Sequence, residues 1–422
     1  MPASAGIRFA GRVLRAVKRF TYGTHRTTAP EETIAWLRPH SRAAGVTRFA
    51  DVTGLDRVGL PVVLSHRPNA PTLANAGGKG VSVAAATASA AMEAVEVFHA
   101  EELHLPVLHC TYTDLAREHE VIPIEMLPFA KRSLFRPGRP EHWVVGWDLL
   151  SGTEVAVPHA AVAVTPPPRR RPSTWMPFSM GTNGLAGGNH LLEAIEAALL
   201  EVIERDAVTC HALATTARGY PTGRVRLETI GDPLVQELVD RLVTAGVGLA
   251  LYDCSSDTGV PCYTATIWDR WMRHLGRHSG FGAHLDPHVA MLRALTEAAQ
   301  SRLVYIAGSR DDLFRRDQRT HQLFDTDEVV ETLDSAPEVV DAFTLTSRAG
   351  STFEADVAWI LDRVRAVGCR QVIAVDLTRE EIGVPVVKVV IPGFEGHMFD
   401  HYQPGPRALG IVEAARAEAG VM

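Results

Sequence analysis

Three stretches of the chain place polar groups where helix geometry sets them side by side. Between 190 and 208 the pattern is helical, and at about 100° per residue Glu193, Glu201 and Glu204 fall within an arc of roughly 80°. Leu192, Ile195, Leu199, Val202 and Ile203 occupy the opposite side, as an amphipathic helix requires. Only Arg205 stands at i+4 from one of these acids, where a solvated face usually mixes in more Lys and Arg. The arrangement recurs. Over 83–103, Ser89, Glu93 and Glu96 differ by about 60° around the axis, and over 286–307 Arg293, Glu297 and Gln300 span a similar arc of about 60°. If the faces meet, six carboxylates with amide and hydroxyl oxygens make a hard-oxygen set suited to Mg²⁺, which prefers a few carboxylates plus substrate phosphates to an all-protein cage. With Lys79 and arginines at the rim, the ligand that chemistry calls for is a nucleoside triphosphate bridged by metal. For any one helix alone, the plainer reading is a solvated face.

Other signals are weaker. Gly77-Gly78-Lys79-Gly80 fails the P-loop rule, because Gly80 replaces the Ser or Thr after Lys and no Gly stands five residues before Gly78. As a glycine-rich turn with a lysine it suits phosphate at the entrance to the next helix, or a simple turn. The segment from Ser179 to Asn189, with four glycines, lets backbone approach a ligand or is an ordinary loop. His99, His190 and His211 lack zinc-ligand spacing and read as core or surface histidines. Cys210, with no base nearby in sequence, reads as a buried thiol.

The elements that must position these groups are legible in outline. Residues 1–30 lack Asp and Glu, and Arg8, Arg12, Arg15 and Arg19 recur at spacings that share one helix face, so a basic helical extension is expected over 1–45. A helix is expected over 30–44, opened by Pro30-Glu31-Glu32. Strands are expected from 47 to 66, and a hairpin over 143–158 turning at Ser151-Gly152. Helices follow near 190–208, 233–245 and 286–307, with strands at 248–252, 371–376 and 386–391. Pro166 to Pro172 is a surface connection and the strongest internal boundary. The alternation implies an α/β fold of layered helices and sheets, the acidic faces set an expected ATP/Mg site between their helices, and the chain is expected to divide as 1–45, 46–165, 166–310 and 311–422.

The 422 residues, 46% hydrophobic and 22% charged, suit two or three globular lobes and exclude collagen, coiled coil and disordered classes. Forty-two Lys and Arg against 49 Asp and Glu give a net charge of −7, which argues against a nucleic-acid partner. Five cysteines without a C-x-x-C pair suit a reducing compartment, and no apolar run reaches the ~20 residues of a membrane span, so a cytoplasmic protein is expected.

The acidic run Glu193 to Asp206, with Thr182-Asn183-Gly184-Leu185-Ala186-Gly187-Gly188-Asn189 before it, resembles the signature of the YcaO family. Gly78-Lys79-Gly80 followed by Ser89-x-x-x-Glu93-x-x-Glu96, and Arg293 to Arg302, resemble its further motifs in the expected order. The resemblance covers about 50–410. Ala50 to Asp56 and Gly393 to Ala408, ending Pro404-Gly405-Pro406-Arg407-Ala408, look most like the TfuA-associated branch.

The resemblance implies an ATP-dependent enzyme that activates a peptide backbone amide by phosphorylating its oxygen. A nucleophile adds to the amide carbon and phosphate then leaves, giving a thioamide from sulfide or an azoline from a neighbouring side chain. Carried over position by position, Glu93, Glu96, Glu193, Glu201, Glu204 and Glu297 hold Mg²⁺, while Lys79, Ser89, Asn183, Arg205, Gln300 and Arg310 contact ATP. No Pro-x-Pro-x-Pro tail of the kind found in azoline-forming members is present, which favours thioamidation with a separate TfuA-like partner. A precursor peptide or protein is the expected substrate and a homodimer the expected assembly. The alternatives are an azoline-forming cyclodehydratase, a metal-dependent hydrolase without nucleotide, and a non-catalytic ATP- or peptide-binding subunit.

Overall fold

Alternating apolar runs and glycine turns resolve, in chain order, into β1 (Ile7–Phe9), β2 (Arg12–Leu14), α1 (Pro30–Ala43), β3 (Arg48–Asp51), β4 (Val62–His66), β5 (Asn75–Lys79), α2 (Val83–Glu101), β6 (Leu108–Thr111), α3 (Tyr112–Glu118), β7 (Pro140–Asp148), β8 (Glu154–Pro158), α4 (His159–Val162), β9 (Leu185–Gly187) and α5 (Leu191–Arg218). There follow α6 (Pro233–Thr244), β10 (Val247–Asp253), β11 (Cys262–Asp269), β12 (Arg277–Ala283), α7 (Pro287–Ile306), α8 (Phe353–Ala366), β13 (Ile373–Asp376), β14 (Val386–Val390) and α9 (Pro406–Glu418). The computed structural model describes residues 6–129, 133–165, 177–272, 275–309, 331–333, 337, 339–396 and 403–420. The Pro166 to Pro172 connection and Arg310 lie outside the described residues. The fold is mixed α/β, as expected, and each pair of the named strands is antiparallel.

Two compact units divide the chain: Met1–Arg19, Val95–Ala214 and Gly350–Met422 form one, Phe20–Ala94 and Thr215–Ala349 the other. Both are discontinuous, whereas the sequence reading divides the chain linearly.

The first unit is built on a sheet of order β6-β7-β13-β14-β9, with β8 paired to β7. The β7–β8 turn is set by Asp148, fully buried, whose carboxylate accepts the N–H groups of Leu150, Ser151 and Val372. The 1–30 segment corrects the sequence reading, because Ile7 to Leu14 is a hairpin and not a helix. Ile7 and Phe9 are buried while Arg8 is exposed, a period of two, and Ala10 and Gly11 turn the chain with positive φ. The arginine spacing satisfied a helix by coincidence, and Gly11 was the contrary signal. Farther on, Lys18 is buried, pairing with Asp356 on α8 and standing 4.0 Å from Glu196 on α5.

The second unit repeats one arrangement. Sheets β3-β4-β5 and β10-β11-β12 each run directly into a helix, α2 and α7 respectively. Val235, Leu238, Leu242, Leu249, Leu251, Ile267, Leu295 and Ala298 belong to a buried apolar cluster of this unit. The sequence shows only a recurring helix motif; the recurrence extends to the sheets.

Among the described residues no helix is long and apolar enough to cross a membrane.

His99 is 1% exposed, and its Nδ1–H donates to the Val95 carbonyl at 2.7 Å, consistent with a core histidine. Burial lowers its pKa to about 4, as it does for His159. Between about pH 6.5 and 4 the unfolded chain binds protons at these rings that the folded chain refuses, so stability falls as pH falls through that window. Each histidine contributes about 3 kcal/mol to that loss. Urea denaturation of His99→Gln is expected to show a smaller stability difference between pH 7 and pH 4.5 than the unsubstituted protein; equal differences contradict the assignment.

Candidate nucleotide and metal site

The acidic helix α5 is amphipathic as expected and runs on to Arg218, longer than the sequence indicates. Leu192, Ile195, Leu199 and Ile203 are completely buried. Glu193 and Glu204 are 2% and 1% exposed, which removes the solvated-face reading for both. Glu201 is half-buried, and the Arg205 guanidinium stands 4.0 Å from it and 3.9 Å from Glu204. One cation thus faces two carboxylates, the i+4 partner the spacing allowed. In the same unit Glu96, from the second half of α2, accepts the Gly187 N–H at 2.6 Å, which ties α2 to β9.

The loop before α5 is pinned to β14. Val389 N donates to the Gly184 carbonyl at 2.7 Å, and Gly184 has φ +77, where a Cβ would overlap the Val389 carbonyl and press on Val202. Glycine is therefore required at that point. Asn183, one residue earlier, is partly buried, and its Oδ1 is buried without a hydrogen-bond partner. A buried amide oxygen left unpaired normally costs about 1–3 kcal/mol, and this one is free to accept from a ligand donor or to meet a cation. Sequence reasoning missed Lys388. This β14 residue is 3% exposed and donates to the Gly181 carbonyl at 2.5 Å. Burial lowers its pKa to about 8, with the Glu201 charge opposing. The signal was a lysine in the apolar run Val386-Val387-Lys388-Val389-Val390, where a strand interior has no other charge.

In the second unit Lys79, at the end of β5, donates to Glu297 on α7 at 2.6 Å, and Gln300 donates its amide N–H to the Gly77 carbonyl. Ser89 and Glu93 lie partly buried on α2, in the same unit. The reading of Gly77 to Gly80 as a turn is corrected: residues 75–79 are a strand paired with β4. A Cβ on Gly78 would overlap the Ala86 carbonyl and the Ala90 N–H, and one on Gly282 of β12 would overlap the Ala290 carbonyl on α7. The glycines let a helix lie directly on its strand. The pairs Glu93/Glu96, Glu201/Glu204 and Glu297/Gln300 all fall ten and thirteen residues after their helix starts at Val83, Leu191 and Pro287.

Two motifs of the resemblance turn out to be braces. Arg302, fully buried on α7, holds Asp56 at 2.8 and 3.2 Å and Asp269 at 2.9 Å, so the Ala50 to Asp56 segment is locked to the α7 motif. Arg407 Nε contacts both oxygens of Asp206 at 2.9 Å, and Glu395 N donates to Asp206 at 2.9 Å, which binds the Pro404 to Ala408 segment to α5. Burial raises the Asp206 pKa to about 6 against the pull of Arg407. Cys210 is buried, as its reading required.

Among the described residues no group of three or more His, Cys, Asp or Glu side chains stands ready to hold a metal alone. Mg²⁺ held by one or two carboxylates and by nucleotide phosphates needs no such cage. The hard-oxygen donors of Glu96, Glu201 and Glu204 and the unpaired Asn183 oxygen fit that mode.

A family model described as YcaO cyclodehydratase, ATP- and Mg²⁺-binding, matches residues 77–395. An uncharacterized protein in the tfuA 3′ region of Rhizobium leguminosarum bv. trifolii is 35% identical over 404 residues, 93% of this chain and 94% of that one. Among solved structures, YcaO from Methanopyrus kandleri bound with AMPPCP and Mg²⁺ superimposes with a TM-score of 0.71 at 25% identity, covering 92% of this chain and 100% of the other. A heterocyclase in complex with substrate and cofactor shares the fold, with a TM-score of 0.78 at 22% identity; 97% of this chain is covered, and the chain spans 58% of that protein.

Gly78→Ala is expected to destabilise the protein by about 3 kcal/mol or more, because the new methyl meets backbone that cannot yield. Gly54→Ala, with open space at its Cβ, is expected to change stability by under about 1 kcal/mol. Urea midpoints of the two variants check this, and equal midpoints contradict the helix-on-strand contact.

Proposed function

As a chain that belongs to the YcaO family, with ATP and Mg²⁺ as its cofactors, this protein is one for which we propose ATP-dependent thioamidation of a peptide backbone, carried out with a TfuA-like partner. The observation that carries the nucleotide part is the recurrence of Glu93/Glu96, Glu201/Glu204 and Glu297/Gln300 at one register on three helices, with Glu193 and Glu204 buried too far to be a solvated face. The relative from the tfuA 3′ region supports the choice of partner and of sulfur over cyclisation. A precursor peptide or protein is the substrate, and the working form is a homodimer in the cytoplasm.

In this reading Glu93, Glu96, Glu193, Glu201, Glu204 and Glu297 hold Mg²⁺, and Lys79, Ser89, Asn183, Arg205, Gln300 and Arg310 contact ATP. Bound ATP supplies the phosphoryl group that makes the amide oxygen a leaving group, and Mg²⁺ neutralises its phosphates. The chain's own task is positioning and charge stabilisation. Arg205 offsets the charge of Glu201 and Glu204. Lys79, held by Glu297, is a directed cation for a phosphate oxygen. The Asn183 oxygen accepts from the nucleotide or meets a cation.

Incubation of precursor peptide with ATP, sulfide and the TfuA-like partner is expected to add about 16 Da, oxygen exchanged for sulfur; loss of about 18 Da indicates cyclodehydration instead. Folded Glu201→Gln and Glu204→Gln variants are expected to lose the ATP-dependent product by at least about a hundredfold. Full modification by those variants contradicts the reading, and nucleotide binding without turnover in the presence of the partner favours a non-catalytic subunit.

A further inference from the structure

Lys388 is an expensive residue to bury, and its placement explains the cost. Its ammonium meets the carbonyl of Gly181, while its strand neighbour Val389 grips the carbonyl of Gly184 at 2.7 Å. Leu185 N also donates to the Thr182 carbonyl at 2.8 Å, closing a turn between the two attachments. Lys388 itself lies opposite Leu185 in the β14–β9 register. Four consecutive residues are thus fastened to β14 at both ends, and Asn183 is the one between the fastenings whose buried oxygen lacks a partner. Gly181 and Thr182 are exposed, so among the described residues that end of the loop is open.

We propose that Lys388 is a positioning residue that aims the Asn183 amide by clamping the Gly181 to Gly184 loop onto β14. The proposal rests on the reading of Asn183 as a nucleotide contact. A buried cation hydrogen-bonded to a backbone carbonyl fixes that carbonyl with a charge-assisted bond, stronger than a neutral donor provides. Removing it frees the loop's first attachment and leaves the rest of β14 paired with β13 and β9. The expected effect is therefore on nucleotide affinity through Asn183, and it disappears when the Asn183 side chain is absent.

The test is a double-mutant cycle read by calorimetry with AMPPCP and Mg²⁺, using Lys388→Met, Asn183→Ala and the double variant, each shown folded by circular dichroism and thermal denaturation. Lys388→Met and Asn183→Ala are each expected to weaken binding about tenfold, and the double variant no more than either alone. Additive losses, about a hundredfold in the double variant, overturn the proposal, as does unchanged affinity in Lys388→Met while Asn183→Ala weakens binding. If Asn183→Ala itself binds normally, the assignment of Asn183 to the nucleotide fails first, and the clamp falls with it. Should Lys388→Met not fold, Lys388→Gln serves in the same cycle, since it keeps a polar but neutral side chain, one bond shorter, and faces the same requirement of non-additivity.

Discussion

Negative charge gathered on a helix face that water barely reaches is the constraint around which this protein is organised. Glu193 and Glu204 are almost wholly buried on one helix, with Glu201 half-buried beside them. Carboxylates in such surroundings repel one another more strongly than in water, and burial withdraws the hydration that would compensate. Arg205 answers part of that charge. In the function proposed here, a divalent cation bridged to phosphates would supply the rest in a form that a fixed lysine or arginine cannot, because it would leave with the product.

Holding such a set in register demands rigid supports, and the chain provides them by contact at backbone distance. Glycines at 78 and 282 let α2 and α7 lie directly on their strands, and Gly184 does the same for the loop that leads toward α5. Buried ion pairs then lock distant segments together: Arg302 with Asp56 and Asp269 in one unit, Arg407 with Asp206 in the other. Such pairs contribute little net stability, but losing one partner strands a buried charge at a cost of about 3–5 kcal/mol, which makes the arrangement specific. The second of these pairs joins α5 to α9 from the side of the helix opposite Glu204.

Much of this was legible in the residues. The three acidic helices, the hairpin at Asp148 and the strands around Lys388 follow from periodicity, and the helix faces follow from spacing alone. The failures have physical causes. The arginines of the N-terminal segment fit a helical period that the buried Ile7 and Phe9, two residues apart, outweigh. Gly77 to Gly80 looked like a turn because glycine is common in turns, but here it answers to close packing across a strand, a demand set by a helix that begins four residues after Lys79 ends the strand. Asp56, Asp206, Arg302 and Arg407 appeared only as motif letters; their pairing spans hundreds of residues and no local pattern encodes it. Lys388 was passed over because the apolar run around it shows a strand and not what the lone ammonium meets, a carbonyl more than two hundred residues away.

The central claim is that the carboxylates require a metal-bound nucleotide to balance them. Calorimetric titration of the full chain with AMPPCP, in excess Mg²⁺ and again in EDTA, tests it most directly. The account predicts binding in Mg²⁺ and at least a tenfold loss of affinity in EDTA, about the contribution of one strong charge contact. Equal affinity under both conditions contradicts it.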